Sequence, residues 1–324
     1  MLGRMAPQPR DPSPTPEAET PRAGRVALVG RPNVGKSTLL NAALGQKLAI
    51  ATPTPGTTRT CLLGVYASDE PPTQIAFIDT PGLHRPKSAL GRVLREQAAL
   101  GLEGSDAVVM MIEVPRGRGA GTISEQDAAV LELVQAAGRP TVLVINKVDL
   151  VRDKSRLLPL IDAVAAQLSP EAVVPVSALR GTNLDALLAE LRALLPEGRL
   201  YDDGDDVLTD RPERFFVAEL LREAAIAETR AEVPHGLACV IDTFEERGGL
   251  VRIEATIVVE KESHKGIVIG ARGARLKAIG TAARGEMERL LERKVFLKLW
   301  VKVMPKWTAN PAVARRLATE VEQP

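Results

Sequence analysis

No apolar run in this sequence approaches the roughly 18 residues that a bilayer-spanning helix requires. The N-terminus also lacks the apolar core of a secretory signal: Pro7, Pro9, Pro12, Pro14, Pro16 and Pro21 crowd the first 22 residues. Cysteine is scarce. Cys61 and Cys239 stand far apart, which excludes a disulfide framework and leaves small buried side chains as the expected role. These absences together predict a cytoplasmic protein. Charge of one sign is missing too, since 42 Lys and Arg balance 41 Asp and Glu. That balance excludes nothing about partners until charge is mapped along the chain. No internal repeat is visible.

What is present is an ordinary globular mixture, 45% hydrophobic and 26% charged, over 324 residues, enough for two domains. Residues 1–22 read as a disordered, Pro-rich tail. From Arg25 short apolar runs alternate with helical stretches. Val26–Val29, Ile75–Ile78, Ala107–Ile112, Thr141–Ile145 and Val173–Val176 read as strands buried on both faces. Glu125–Ala137 and Arg156–Gln167 read as helices, and Asn183 as the N-cap of a last helix through Leu195. The alternation predicts an α/β domain over 23–196, a doubly wound, mostly parallel sheet with Cys61–Ala67 as an antiparallel edge. An acidic linker, 197–213, follows. A second domain, 214–310, reads helix, two strands joined at Gly248-Gly249, two helical pieces around a glycine loop, and an alternating strand, Val295–Met304. Residues 311–324 read as a tail.

Gly30-Arg31-Pro32-Asn33-Val34-Gly35-Lys36-Ser37 fits G-x-x-x-x-G-K-[ST] between a strand and a helix, the context that makes the pattern a phosphate loop. Its backbone N–H groups and the helix N-terminus suit phosphate oxygens. Lys36 is expected on the β- and γ-phosphates. Ser37 is expected on Mg²⁺, a hard ion that prefers oxygen. Asn146-Lys147-Val148-Asp149 follows a strand and fits N-K-x-D. Asp149 can accept from the ring N1–H and exocyclic amine of guanine, which selects GTP over ATP. Lys147 is expected along the base, and Asn146 as a brace between loops. Ser177-Ala178 fits the supporting S-A element, with the Ala178 N–H on guanine O6.

Asp79-Thr80-Pro81-Gly82 fits D-x-x-G, with Asp79 on Mg²⁺ through water and the Gly82 N–H on the γ-phosphate. In Thr54–Arg59 a threonine is expected to reach Mg²⁺ when GTP is bound, Thr58 first and Thr57 second. Leu83 stands where Ras-like switches carry a water-orienting glutamine, so intrinsic hydrolysis is expected to be slow. For His84 a structural role is favoured over that of a base.

Mapped along the chain, the charge is uneven. Lys265–Lys306 holds 11 Lys and Arg against Glu286, Glu288 and Glu292, a net of +8. Such a segment is an electrostatic footprint for nucleic acid. Within it Gly270-Ala271-Arg272-Gly273 fits the GXXG loop with which KH domains clamp a nucleotide backbone, with Arg275 and Lys277 just after it. Trp300 alternates with the inward residues of the last strand. For Trp300 and Trp307, core packing, an interface and base stacking all stay open.

In combination these features resemble the Era family of bacterial GTPases, within the TrmE-Era-EngA-like group. The resemblance rests on Gly30–Ser37 running into Thr38-Leu39-Leu40-Asn41, on Asp79–His84, on Asn146–Asp149, and on Thr209-Asp210-Arg211. It rests further on Val268–Gly280 and on Leu299-Trp300-Val301-Lys302-Val303. It implies a P-loop GTPase domain followed by an α+β type II KH domain. It also implies binding to the 3′ end of small-subunit ribosomal RNA, assistance in small-subunit assembly, and peripheral contact with the inner face of the membrane. A monomer is expected. Asn33 occupies the position that in related GTPases goes with K⁺ near the phosphates. The alternative is a GTPase whose basic C-terminal domain docks on a protein or an anionic membrane.

Overall fold

The structure is a computed structural model that describes residues 19–52, 54, 56–83, 88–114, 123–202, 207–229 and 233–319. Most of the N-terminal tail and His84 lie outside them.

Six strands make the first sheet: β1 (Arg22–Gly30), β2 (Leu62–Asp69), β3 (Pro72–Asp79), β4 (Ala107–Glu113), β5 (Thr141–Asn146) and β6 (Ala172–Pro175). Their order is β2-β3-β1-β4-β5-β6. All neighbours run parallel except β2, which pairs antiparallel with β3 at the edge. Successive side chains of a strand point to opposite faces, so each central strand feeds two cores. Val26 and Leu28 face one side with α1 (Lys36–Leu44) and α5 (Leu184–Leu194). Ala27 and Val29 face the other, with α2 (Ala89–Glu103), α3 (Glu125–Ala137) and α4 (Leu157–Leu168). This is the doubly wound arrangement that the strand–helix alternation predicts.

Local chemistry sets the helix ends. Ser88 caps α2 by accepting from the Gly91 N–H, and Ser124 caps α3 by accepting from the Asp127 N–H. Asn183 precedes α5 but is left-handed (φ 58°) and makes no cap. Its Nδ2 donates to Pro175 O at 2.7 Å instead, tying the loop back to β6.

The described part of the acidic linker is bound to the sheet rather than free. The Val65 N–H donates to Leu208 O, and Thr209 Oγ1 donates to Leu63 O, so the linker covers the open edge of β2.

The second domain has α6 (Glu213–Glu228), β7 (Ala238–Arg247), β8 (Leu250–Val259), α7 (Glu262–Ile269), α8 (Ala274–Leu291) and β9 (Lys294–Val303). Its sheet has the order β7-β8-β9; β7 and β8 form an antiparallel hairpin, and β9 joins β8 in parallel. Helices α6, α7 and α8 pack on one face through Leu221, Val268, Ile279, Ala283 and Met287. The start of α6 belongs to the other domain, since Phe215 and Phe216 pack into the core of the first sheet. The predicted tail after residue 310 is in its described part a helix, α9 (Pro311–Thr319). Ala314 and Ala318 give it an apolar face that packs with Leu90 and Leu94 of α2, across Trp307.

Candidate functional site

The carboxyl ends of β1, β3, β4 and β5 meet in one crevice, where the strand order reverses around β1. Ligands of open α/β sheets bind at such a point. A cavity of about 530 Å³ lies here, lined by the phosphate loop and by Thr58, Gly82, Glu113 and Lys147.

The loop needs its glycines. A Cβ on Gly30 would lie 2.6 Å from Met111 O. One on Gly35 (φ 109°) would lie 2.2 Å from Asn146 Nδ2. Gly35 opens α1, and Val34 anchors the loop in the core. Lys36 is buried, and its Nζ donates to Gly30 O at 3.0 Å and Arg31 O at 3.2 Å. Burial, with Arg31 nearby, lowers its pKa to about 8 despite the attraction of Asp79.

Ser37, Thr58 and Asp79 converge. Ser37 Oγ donates to Asp79 Oδ2 at 2.6 Å and lies 2.9 Å from Thr58 Oγ1, which donates to Asp79 Oδ2 at 3.4 Å. Thr57 also lines the cavity, but its hydroxyl pairs with Thr52 Oγ1 and donates to Thr54 O. Of the two threonines, Thr58, the first choice from sequence, is the one beside Ser37 and Asp79. Burial pushes the Asp79 carboxyl up to about 6, against the pull of Lys36 and the hydrogen bonds from Ser37 and Thr58. Its buried Oδ1 has no hydrogen-bond partner among the described residues. Two hydroxyls and a carboxylate with one unsatisfied oxygen are the donor set that suits Mg²⁺.

The D-x-x-G segment is held against the loop. Thr80 Oγ1 donates to Leu28 O, and Gly82 is so close to Pro32 that a Cβ would lie 2.7 Å from its Cα. Pro81 carries the chain between them. Leu83 turns inward: its N–H donates to Gly30 O at 3.1 Å, and its side chain is buried with Ala27, Val29 and Met110.

On the far side of the crevice Asn146 braces two loops as expected. Its Nδ2 donates to Val34 O at 2.8 Å, and its Oδ1 accepts from the Ala178 N–H at 3.0 Å. That N–H, expected on guanine O6, is therefore paired within the protein. Ser177 Oγ donates to Asp149 Oδ1 at 2.7 Å, orienting the carboxylate. Lys147 is left-handed (φ 64°), and its Nζ donates to Asn33 O at 2.7 Å.

Glu113 belongs to none of the motifs. It ends β4 and pairs with both Lys147, at 2.5 Å, and Arg31. Burial raises its carboxyl, but the hydrogen bonds from Lys147 and Arg31 outweigh burial and hold it below the ordinary value. Its place at the carboxyl end of a central strand was the signal available. Arg59 and Arg222 belong to none of them either. Arg59 Nη1 donates to Leu237 O at 2.8 Å, and Arg222 of α6 donates to Thr57 O. The segment around Thr58 is thereby wired to the second domain.

In the second domain the glycine loop joins α7 to α8. Gly270 (φ 71°) leaves no room for a Cβ, which would lie 2.7 Å from that of Arg275. Gly273 (φ 79°) has open space around it and is needed for its backbone angle alone. Ala271 and Arg272 are exposed at the tip, and Lys277 is exposed in the first turn of α8. Arg275, expected toward a ligand, is turned back: its Nη1 donates to Ile267 O at 2.6 Å, filling a helix-end acceptor. Trp307 is core, buried with its Nε1 donating to Gly236 O, while Trp300 is 51% exposed.

The first domain and its loops define a P-loop GTPase, and the second a KH fold. A family described as "50S ribosome-binding GTPase" matches residues 25–147, and a KH domain family matches residues 232–308. GTPase Era of Ruminiclostridium cellulolyticum is 43% identical over 91% of this chain and 97% of its own. GTPase Era of Geobacter metallireducens is 44% identical over the same shares. The chain belongs to the Era family of GTPases. Two solved structures are similar along nearly the whole chain. One is Era in complex with MgGDPNP and nucleotides 1506–1542 of 16S ribosomal RNA (TM-score 0.86, 40% identity, covering 92% of this chain and 99% of that one). The other is an Era variant of Aquifex aeolicus bound to GDP and AlF₄⁻ (TM-score 0.85, with the same identity and coverage).

Proposed function

We propose that this chain is a GTP-driven switch that grips the 3′ end of small-subunit ribosomal RNA and assists small-subunit assembly. One observation carries the switch. Thr58 meets Ser37 and Asp79, while its neighbours on both sides, Thr57 and Arg59, bond to groups of the second domain. A change at the phosphates that moves Thr58 is thereby transmitted to the KH domain. The RNA reading is supported by the basic segment around the GXXG loop and by the similar Era structure that holds 16S RNA.

In this reading Gly30–Ser37 cradles the phosphates and Lys36 exchanges its loop carbonyls for phosphate oxygens. Ser37 and Thr58 would hold Mg²⁺ directly and Asp79 through a water, and the bound ion would neutralise charge on those oxygens. The Gly82 N–H senses the γ-phosphate, and Asp149 reads guanine, held in place by Ser177. Leu83 supports slow intrinsic hydrolysis: its side chain lies in the core, and no glutamine follows Gly82. K⁺ near Asn33 is proposed from the resemblance; equal hydrolysis rates in K⁺ and Na⁺ would sink it. Peripheral membrane contact and a monomeric state rest on the resemblance alone. No helix among the described residues is long and apolar enough to cross a membrane.

The domain bounds of this reading are 23–196 and 214–310, with Phe215 and Phe216 shared. The test is crosslinking to ribosomal RNA with GTP against GDP, in the native protein and in a Gly270→Asp/Gly273→Asp variant. The proposal requires nucleotide-dependent crosslinks that the variant loses while still binding GTP. If the native protein gives none, docking on a protein or an anionic membrane becomes the better reading.

A further inference from the structure

The GXXG loop lies among the helices on one face of the KH sheet. The opposite face is covered by Trp307 and α9 at its Ala238–Val258 end and open to solvent along β9, where its composition is unusual. Every second residue of β9 points outward: Lys294, Phe296, Lys298, Trp300 and Lys302 are all exposed. Their outward partners on β8 are Leu250, Arg252, Glu254, Thr256 and the buried Val258, by the parallel register. Phe296 is 50% exposed and Trp300 51%. Exposed apolar groups clustered on one face and rimmed by polar residues mark interaction sites. Each has a cation at its ring: Arg252 lies 5.9 Å from the centroid of Phe296, and Lys298 Nζ 4.7 Å from that of Trp300.

Cations predominate along β9, while the carboxylates of this face, Glu254, Asp242 and Glu245, lie on β8 and β7. Across these positions of β8 and β9 four cations meet one carboxylate, Glu254, which pairs with Arg252 at 2.5 Å and Lys298 at 3.9 Å. Lys294 has a long contact, 3.7 Å, to Glu288. Lys302 makes no ion pair among the described residues. Alternating lysines and exposed rings on a rigid strand are what single-stranded nucleic acid uses: bases stack on the rings, and phosphates meet the cations. Phe296 and Trp300 stand four residues apart, roughly 13 Å along the strand, which gives each its own base on an extended RNA.

The geometry points to a second RNA-binding surface: the outer face of β8 and β9 takes a single-stranded segment lying beyond the one gripped at the GXXG loop. This inference rests on the RNA-binding reading above. Trp300 and Phe296 supply stacking, and Lys298, Lys302 and Arg252 supply phosphate contacts. A protein partner fits the face less well, since three of the five outward residues of β9 are lysines, a residue depleted in protein interfaces.

The test compares two RNAs: a short oligonucleotide of the 3′ end and a longer fragment that extends beyond it. A Phe296→Ala/Trp300→Ala variant should bind the short RNA as the native protein does, and the longer one about 10-fold more weakly. Phe296→Tyr/Trp300→Phe should restore the long-RNA affinity, and Lys298→Gln/Lys302→Gln should flatten its salt dependence. Equal affinity of the native and alanine variants for the longer RNA would overturn the inference. So would equal loss on both RNAs, which would mark a damaged KH fold. Native protein that binds neither RNA would instead bring down the function proposed above, and this surface with it. Binding to anionic vesicles that depends on Trp300, without an effect on RNA, would assign the face to membrane and also overturn it.

Discussion

The guanidinium of Arg59 lies over the indole of Trp307, 5.5 Å from the ring centroid, and joins the two domains. Arg59 follows Thr58 directly, so the same short segment touches the Mg²⁺-type oxygens at one end and the KH domain at the other. The joint is buried. Burial and the nearby Arg222 lower the Arg59 pKa to about 9, with Glu219 pulling the other way. Arg59→Lys keeps a cation but loses the planar stack and the fork of donors to the Pro234, His235 and Leu237 carbonyls. Nucleotide affinity should be unchanged, while the ratio of RNA affinities between GTP-analogue and GDP states should fall toward one. A ratio equal to that of the native protein would show that the signal does not pass through Arg59.

The two adjacent threonines give a sharper contrast. Thr58→Ala removes a hydroxyl that lies 2.9 Å from Ser37 Oγ and should slow Mg²⁺-dependent hydrolysis by about 10-fold, the weight of one charge-assisted contact. Thr57→Ala removes a hydroxyl that serves only the loop's own Thr52 and Thr54. It should leave single-turnover hydrolysis within experimental error. The reverse order would reassign the switch residue.

Glu113 ties the phosphate loop to the N-K-x-D motif, through Arg31 and Lys147. Both partners come from segments expected to touch the nucleotide, one at each end. Glu113→Gln keeps the shape and loses the charge. A charge-assisted hydrogen bond and an ion pair weaken in a half-shielded site, so guanine-nucleotide affinity should fall by about 10-fold with little change in thermal stability. Displacement of a fluorescent GDP analogue measures this; unchanged affinity would make Glu113 a surface ion pair of no consequence.

What was legible in the sequence follows from the range of the interactions involved. The strands of the first sheet and the phosphate loop are set by neighbours within a few residues, so their pattern is local. The helix Glu125–Ala137 even begins and ends where its Ser124 cap and Gly138 place it. Arg59, Arg222 and Glu113 match no motif, and the contacts that matter here are distant: Arg59 reaches Leu237, Arg222 reaches Thr57, and Glu113 joins Arg31 to Lys147. The C-terminal helix was missed for a related reason. Its apolar side has meaning against Trp307, the start of β7 and α2, the last over two hundred residues earlier. Nothing in sequence reveals that a helix-end carbonyl, Ile267 O, stands within reach of Arg275.

Leu83 tests that lesson on the chemistry itself. From sequence, it stands where other switches carry a glutamine, which suggests that Leu83→Gln would restore a water-orienting group and accelerate hydrolysis. The structure points the other way. Leu83 is buried among Ala27, Val29, Met110 and Val130, and its N–H is fixed to Gly30 O at 3.1 Å. A glutamine there loses apolar burial and places an amide where no partner faces it, costing about 3 kcal/mol. The alternative open to it is to swing out and drag Gly82 from its close seat on Pro32. Neither outcome puts an amide at the phosphates with the switch intact. Leu83→Gln should therefore lower the unfolding midpoint in denaturant and leave single-turnover hydrolysis no faster. A rate increase at native stability would mean that this segment turns Leu83 toward the nucleotide when GTP is bound.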